Sequence, residues 1–191
     1  MTTYPELFIL RHGETEWNAQ GRMQGALNSA LTNTGKTQAQ RQAEILQQFD
    51  LSAFDILSSP QGRAFETAAI ALARQVTHLR TDERLREIGV GTWAGKIRSE
   101  LPGAGGFEEG PDGALELYER APEGEGFAAL EQRCAGFLTS LTRPSVLVTH
   151  GITSRMLRAI VTGEGAAGLA NMGGGQGVVY HLKNSVQKRL E

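Results

Sequence analysis

Leu7-Phe8-Ile9-Leu10-Arg11-His12-Gly13 is the stretch of sequence that predicts the fold. Four apolar residues are followed at once by a cation, an imidazole and a glycine, which is typical of a buried strand that ends at a polar site. A second stretch of the same design, Val146-Leu147-Val148-Thr149-His150-Gly151, occurs far along the chain. In each stretch the glycine allows the backbone to turn directly after the histidine. We therefore expect His12 and His150 to meet at one site, because ligands of parallel sheets bind beyond the carboxyl ends of the strands.

The segments around these two strands predict further strands that alternate with helices. Helices are indicated where apolar residues recur on one helical face, and short strands where apolar runs lie between turn residues. Pro60 is expected in the first turn of a helix that Ser58 or Ser59 caps. The predicted elements, in chain order, are strand 7–10, loop 14–32, helix 35–49, strand 55–59, helix 60–72, strand 78–80, helix 127–141, strand 146–149, helix 152–160 and a last strand 178–182.

This alternation predicts an α/β fold with helices on both faces of the sheet. We expect one domain over residues 1–191, built as a three-layer α/β/α sandwich with a mostly parallel central sheet. The Gly- and Pro-rich stretch 101–125 is expected to form a lid-like insertion that contains a short helix near 114–119. Residues 85–97 contain too many glycines for a stable helix.

The composition excludes several classes of partner. The chain has 191 residues, of which 40% are hydrophobic, and a formal net charge of -2. Nucleic acids and membrane surfaces attract basic stripes, which this chain lacks, so neither is expected as a partner. No apolar run approaches the roughly 20 residues of a membrane span, and residues 1–6 do not resemble a secretion signal, so a cytoplasmic location is expected. Cys134 is the only cysteine, which excludes an internal disulfide, and its apolar helical stripe predicts a core position.

Arg11 and His12 together predict an anion-binding site. A guanidinium beside an imidazole at a strand end is unfavourable unless an anion or a carboxylate lies there, and His150 would add a third group of the same kind. A multiply charged anion such as phosphate is therefore favoured. Zinc is the alternative ligand for two histidines. However, the sequence has no His-x-x-x-His or His-Glu-x-x-His pair and Arg11 would repel a cation, so no metal site is expected.

Two further residues fit a phosphate site. Arg63 is expected in the first turn of the helix that follows the second strand, where free backbone N–H groups also attract anions. Glu87 lies in a glycine-rich turn, and phosphate would repel its carboxylate and favour the protonated form that a general acid needs. Spacing alone leaves Glu83 and Glu14 nearly as plausible for that role.

Arg11-His12-Gly13-Glu14-Thr15, followed by Asn18, resembles the signature of the histidine phosphatase superfamily, also called phosphoglycerate mutase-like. Further motifs of that family follow in the same order over most of residues 7–160, and this order is highly specific. They are Gln24-Gly25, Leu31-Thr32 with Gly35 and Gln38-Ala39, Ser58-Ser59-Pro60 with Arg63 and Thr67-Ala68, Leu85-Arg86-Glu87-Ile88 with Gly91, Trp93 and Gly95, and Val148-Thr149-His150-Gly151.

The resemblance implies a role for each site residue. His12 would be the nucleophile that becomes phosphohistidine, His150 the second catalytic histidine, and Glu87 the group that protonates the leaving oxygen and then activates water. The remaining residues would bind the phosphoryl group (Arg11, Arg63 and Asn18, together with His150) or the rest of the substrate (Gln24 and Gly25). No metal ion and no organic cofactor would be needed, because the flanking cations stabilise the charge on the phosphoryl oxygens.

The sequence departs from the usual pattern of the family in several loops. Ala94 stands where many relatives have Glu, and Asn28 and Ala30 stand where Asp and Pro are usual. Gly124-Glu125-Gly126 resembles a Gly-Glu-Ser motif that has lost its serine. These differences concern loop geometry and substrate contacts more than the phosphate pocket.

By the same resemblance, a phosphatase is favoured over a mutase. A mutase has to bind a second anionic group, and the mutases resemble one another in an arginine directly after the catalytic glutamate, whereas Ile88 and Gly89 follow Glu87 here. The insertion 101–125 has one arginine, Arg120, amid seven acidic residues. We therefore expect a phosphomonoester hydrolase that acts on small phosphorylated metabolites. The alternatives are a phosphoglycerate mutase and a non-catalytic phosphate-binding relative, and the sequence indicates neither the natural substrate nor the oligomeric state.

Overall fold

The computed structural model describes residues 3–103 and 115–191. Its strands are β1 (Leu7–Arg11), β2 (Asp55–Ser58), β3 (Arg80–Thr81), β4 (Ser145–Thr149), β5 (Val179–Lys183) and β6 (Val186–Leu190). Its α-helices are α1 (Glu16–Ala19), α2 (Asn33–Leu46), α3 (Gly62–Leu72), α4 (Leu115–Arg120), α5 (Gly126–Thr139) and α6 (Gly151–Thr162). Short 3-10 turns occur at Glu83–Leu85, Gly91–Trp93, Arg98–Glu100 and Ala166–Asn171. Residues 104–114 of the expected insertion lie outside the described residues, so the lid stays a prediction, whereas α4 confirms the short helix at its end.

All six strands form one sheet, in the order β3-β2-β4-β1-β5-β6. The four strands from β3 to β1 are parallel to one another. β5 runs antiparallel to β1, and β6 runs antiparallel to β5. The sheet is therefore mixed but mostly parallel, as the sequence predicts. Because β2, β4 and β1 are neighbours, the residues that follow them meet at one edge.

Helices cover both faces of the sheet, which confirms the three-layer α/β/α architecture. Side chains of a strand alternate between its two faces, and in β1 this alternation supplies two separate cores. Leu7 and Ile9 belong to the core that α5 and α6 cover, whereas Phe8 and Leu10 belong to the core that α2 and α3 cover. All four side chains are buried. A continuous apolar run thus fits a strand that is covered on both sides.

Helix α5 shows how one apolar stripe docks a helix on the sheet. Leu130, Cys134 and Phe137 recur at three- and four-residue spacing, and all three are buried in the core. Burial raises the pKa of the Cys134 thiol to about 12, which confirms the predicted core position and makes this cysteine unreactive. None of the helices in the two described ranges is long and apolar enough to cross a membrane.

The predicted start of the helix after β2 is wrong. Helix α3 begins at Gly62 and not at Pro60, and Gln61 is its N-cap residue without a side-chain cap. Ser58 is instead the last residue of β2, and Ser59 lies against His150, so neither serine caps the helix. Local sequence rules assign the Ser59 side chain to helix capping, but in the structure it bonds a histidine of the site.

The prediction that Val178–Leu182 is the last strand is also wrong, because β6 follows β5. The turn between them places Asn184 and Ser185 at positive φ, 53° and 60°, which is unusual for residues other than glycine. None of the five residues of β6 is buried, Val186, Lys188 and Arg189 are exposed, and the strand lies at the edge of the sheet. An exposed edge strand needs no apolar alternation, so hydrophobic periodicity does not reveal it.

The expected loop 14–32 contains one short helix, α1. Thr15 accepts a hydrogen bond from the backbone N–H of Asn18, and the Asn18 side chain accepts one from the Thr15 N–H. This reciprocal pair is a capping box, with asparagine in place of the usual Glu or Gln. It fixes the position of Asn18 beside the end of β1.

Two glycines allow α2 to approach the chain directly after His12. A Cβ atom on Gly13 would lie 2.2 Å from the carbonyl oxygen of Gly35, and a Cβ atom on Gly35 would lie 2.1 Å from the carbonyl oxygen of Glu14. The contacts are with backbone atoms, so no side-chain rotation can relieve them. Glycine at both positions therefore fixes the distance between the first turn of α2 and the end of β1.

We expect Gly13→Ala to lower the free energy of unfolding by about 1–3 kcal/mol, because the added methyl group overpacks the contact between Gly13 and Gly35. Urea denaturation measures this loss. Gly136→Ala is the control, since Gly136 lies in α5 with no atom within 4 Å of the added Cβ. That variant should keep or slightly raise the stability. Equal stability of the Gly13→Ala variant and the wild type would contradict the close contact.

Candidate active site

The carboxyl ends of β2, β4 and β1 deliver three polar side chains to one place. Ser59 follows β2, His150 follows β4 and His12 follows β1. The backbone N–H of His12 still bonds the Thr149 carbonyl, at 3.0 Å, so the two histidines leave the sheet side by side. Their ring centroids are 5.1 Å apart. The structure thus brings together the two strand ends that the sequence singles out.

His12 is held in one tautomer. Its Nδ1 lies 2.7 Å from the carbonyl oxygen of Gly13, and because a carbonyl can only accept, Nδ1 must carry the hydrogen. The lone pair is then on Nε2, where it accepts a hydrogen bond from the Nε–H of Arg63 at 3.2 Å. Burial, followed by the charges of Arg63 and Arg11, lowers the pKa of His12 well below its ordinary value. The ring is therefore a neutral base with its lone pair at Nε2.

His150 is buried and neutral as well. Burial, followed by the charge of Arg63, lowers the pKa of His150 well below its ordinary value. Its Nε2 lies 2.8 Å from Ser59 Oγ. Its buried Nδ1 has no hydrogen-bond partner within the described part of the chain, and a polar atom left in this state favours binding of a ligand group.

Arg63 is the central cation of the site. Only 1% of this residue is exposed. Besides His12, its guanidinium donates to the carbonyl of Leu27 at 2.7 Å and to that of Gly25 at 3.0 Å. Its backbone N–H, in the first turn of α3, donates to Asn28 Oδ1 at 2.9 Å. Burial lowers the pKa of Arg63 to about 10, so the guanidinium keeps its charge at neutral pH.

Arg11 and Asn18 contribute to the same site from the end of β1 and from α1. Arg11 is the last residue of β1, directly before His12, and its charge lowers the pKa of both His12 and Arg63. The Oδ1 atom of Asn18 accepts hydrogen bonds from Thr15 and, at 3.3 Å, from Gln176. Since its oxygen is bonded to the protein, Nδ2 is the donor that Asn18 can direct to an anion.

Glu87, the proton donor that the sequence favours, is held by the first turn of α6. It is 8% exposed, and its charge raises the pKa of Arg63, against the larger effect of burial. Its oxygens accept the backbone N–H groups of Ile152, at 3.2 Å, and Thr153, at 3.0 Å, in the first turn of α6. The Thr153 hydroxyl donates to it as well, at 3.0 Å. A helix N-terminus stabilises a carboxylate in this way, so Glu87 is fixed in place beside Arg63.

The other two acidic candidates lie elsewhere. Glu83 is exposed on the first 3-10 turn after β3. Glu14 turns its carboxylate to the Thr32 hydroxyl, which donates to it at 2.8 Å at the start of α2. Geometry therefore separates three carboxylates that spacing alone leaves equivalent.

Gln24 and Gly25 support the site from the loop between α1 and α2. The Gln24 side chain is buried and bonds Thr15 and Ser29, at 2.8 and 3.2 Å, so it holds the loop together. The carbonyl of Gly25 accepts from Arg63 and, at 2.8 Å, from Gln61. Direct contact of either residue with a substrate stays a prediction.

Two glutamines that sequence reasoning misses connect the pieces of the site. Gln61 donates to the Gly25 carbonyl, and its Oε1 accepts the backbone N–H of Glu87 at 2.9 Å. Gln176 donates to the carbonyl of His12 at 3.2 Å and to Asn18. The position of Gln61 between Ser59 and Arg63 was a signal that could have revealed it. Gln176, by contrast, lies in a glycine-rich loop without any pattern.

The cluster is suited to an anion. Arg11 and Arg63 bring two positive charges to the same site as two buried, neutral imidazoles, an arrangement that attracts phosphate. No group of three or more His, Cys, Asp or Glu side chains that could hold a metal ion occurs in residues 3–103 or 115–191. Independence from metal ions stays a prediction.

Solved structures that resemble this chain over nearly its whole length include two phosphatases. The mycobacterial glucosyl-3-phosphoglycerate phosphatase in complex with VO3 is 32% identical, with a TM-score of 0.74 over 97% of this chain and 96% of that chain. The alpha-ribazole phosphatase from Shigella flexneri is 26% identical, with a TM-score of 0.79 over 97% of this chain and 94% of that chain.

Curated relatives give the same family. The probable phosphoglycerate mutase GpmB of Proteus mirabilis (strain HI4320) is 34% identical over 173 residues, which cover 83% of this chain and 75% of that protein. The sequence profile of the histidine phosphatase superfamily (branch 1) matches residues 7–188. The resemblance seen in the sequence motifs is thereby confirmed, and the chain belongs to the histidine phosphatase superfamily, branch 1.

Proposed function

We propose that this protein is a phosphomonoester hydrolase that acts on small phosphorylated metabolites through a phosphohistidine intermediate at His12. The observation that carries the proposal is the state of His12, a neutral imidazole with its hydrogen on Nδ1 and its lone pair on Nε2, beside Arg63. A neutral nitrogen with a fixed lone pair can attack phosphorus directly.

In the first step, the Nε2 lone pair of His12 attacks the phosphorus atom of the ester, and the bond from phosphorus to the alcohol oxygen breaks. The bound phosphate repels a charged carboxylate, so Glu87 takes up a proton when the substrate binds. It gives this proton to the alcohol oxygen, so the alcohol leaves neutral. Arg11, Arg63 and the Nδ1 side of His150 surround the phosphoryl oxygens and stabilise their charge, as magnesium does in kinases. The products of this step are phosphohistidine, a free alcohol and ionised Glu87.

In the second step, ionised Glu87 takes a proton from water as the water oxygen attacks phosphorus. The bond from Nε2 to phosphorus breaks, and its electron pair returns to His12. Inorganic phosphate leaves, and both residues recover their first protonation states. The hydrogen bond from Nδ1 to the Gly13 carbonyl at 2.7 Å is kept throughout and stabilises the ring while it bears the phosphoryl group.

The similar proteins support a phosphatase, since two solved structures carry that activity in their names. A phosphoglycerate mutase is the second candidate, because curated relatives at 34% and 32% identity are called probable phosphoglycerate mutases. The residues after Glu87 favour the phosphatase. Ile88 and Gly89 have no cationic side chain, so neither can bind a second anionic group as an arginine there would.

His12→Ala should abolish the phosphoprotein that forms on brief incubation with a 32P-labelled phosphoester and lower turnover by at least about 10³-fold, because the nucleophile is lost. The label should be acid-labile. His78→Ala is the control, since His78 is exposed and lies outside the site. Assays contain a chelator, and phosphoglycerate mutase activity is measured alongside. Turnover by His12→Ala at the wild-type rate would contradict the proposal, and so would a wild type that binds phosphate without turning over any ester.

Glu87→Gln should lower kcat/KM for an alkyl phosphate by about 10²–10⁴-fold, because a poor leaving group needs the proton. The loss with p-nitrophenyl phosphate should be much smaller, since that leaving group departs as an anion. Steady-state kinetics on both esters measure the difference, with Glu83→Gln as the control. An equal loss on the two esters would exclude Glu87 as the proton donor.

Lowering the pH from 7.5 to 5 should destabilise the wild type through His12 and His150. Both are neutral in the folded protein, whereas in the unfolded chain they take up protons below about pH 6.5. The free energy of unfolding therefore decreases as the pH is lowered, by at most about 1.4 kcal/mol per pH unit for each histidine. Urea denaturation of a His12→Gln, His150→Gln double variant should give a shallower slope over this range. Parallel slopes would show that the histidines are not held neutral.

A further inference from the structure

An ion pair outside the phosphate pocket joins Glu125, the N-cap residue of α5, to Arg133 in the middle of that helix. Two parallel hydrogen bonds link the side chains, from Nε to Oε1 at 2.7 Å and from Nη2 to Oε2 at 2.9 Å. Only 12% of the Glu125 side chain and 8% of the Arg133 side chain are exposed. Bidentate geometry and partial burial distinguish the pair from ordinary surface ion pairs, which contribute little.

Both partners also bond the backbone of the segment that carries Glu87. Arg133 Nη1 donates to the carbonyls of Arg84, at 2.6 Å, and Arg86, at 3.0 Å. Glu125 accepts the N–H of Gly89 at 3.1 Å, and its own N–H donates to the Gly89 carbonyl at 2.9 Å. The backbone is therefore held on both sides of Glu87.

The charge of the pair is stable. Burial acts to raise the pKa of Glu125, but the hydrogen bonds and the charge of Arg133 outweigh it and the pKa lies below its ordinary value. Glu125 is therefore ionised at neutral pH, where Arg133 is charged as well. Neither side chain hydrogen-bonds His12 or Arg63 within the described residues, but the charge of Arg133 acts on His150 and Glu87 through space. A variant that keeps this charge therefore separates the effect of the held segment from the effect of the field.

We propose that Glu125 and Arg133 are positioning residues for Glu87, and that the pair sets the distance from the Glu87 carboxyl group to the leaving oxygen. This inference rests on the proposed function, in which Glu87 is the proton donor. One side of the carboxylate is fixed by α6, through Ile152 and Thr153, and the pair fixes the backbone on the other side. A displacement of about 1 Å at such a donor lowers the rate by roughly 10²-fold.

The test uses Arg133→Lys, which keeps the charge but not the two parallel bonds, and Glu125→Gln, which keeps the shape but not the charge. Arg143→Lys is the matched control, since Arg143 pairs with Asp55 at 3.2 Å at the start of β2 and bonds no segment of the site. Each protein is assayed for kcat/KM on an alkyl phosphate and on p-nitrophenyl phosphate. Each substitution is repeated in the Glu87→Gln background, and thermal unfolding is recorded for all variants.

We expect kcat/KM of both variants to fall about tenfold or more on the alkyl phosphate and less than about twofold on the aryl phosphate. In the Glu87→Gln background, the same substitutions should cause no further fall in kcat/KM. The control should match the wild type on both esters. An equal loss on the two esters, or an additional loss in the Glu87→Gln background, would overturn the positioning role while leaving the proposed function intact. A wild type that forms no phosphohistidine would instead overturn the proposed function. If Arg133→Lys unfolds, Glu125→Gln decides the question alone.

Discussion

The buried guanidinium of Arg63 is the group on which the rest of the site depends. A charge removed from water has to be bonded on every side, and here the carbonyls of Gly25 and Leu27 supply part of that bonding. These carbonyls fix the loop over the site. Burial is the main cause that lowers the pKa of His12 and His150, and the charge of Arg63 lowers it further. One cation thus shapes the loop, helps to hold the histidines neutral and leaves a positive field that an anion can neutralise.

The parts of the site that follow from strand periodicity could be predicted from the sequence. Each apolar run before His12 and His150 is long enough to be identified as a strand, and the sheet order places their ends side by side. Arg63 was predictable for a similar reason, since a residue in the first turn of a helix after a strand faces the same edge. For these residues, local sequence and global topology agree.

The rest depends on contacts between distant segments, which no local pattern contains. Glu87 could not be separated from Glu83 and Glu14 until the first turn of α6 was seen to bind its carboxylate. The contacts of Gln61 and of the Glu125–Arg133 pair are made to backbone groups. Since nearly every residue has the same backbone groups, the sequence does not indicate which of them are bonded. The late start of α3 has the same origin, because Ser59 Oγ bonds His150 and the N–H of the N-cap residue Gln61, and no N–H within the helix.

The pairing of β1 with β4 also has a consequence for the order in which the protein can fold. Leu7 lies opposite Ser145, and Arg11 lies opposite Thr149, so the two central strands come from distant parts of the chain. During synthesis, His12, Arg63 and Glu87 leave the ribosome long before the strand that joins them. Contacts of such sequence separation form slowly and late. The complete site is therefore absent from any nascent chain that has not yet released β4 from the ribosome. The appearance of activity would show that β4 has paired with β1.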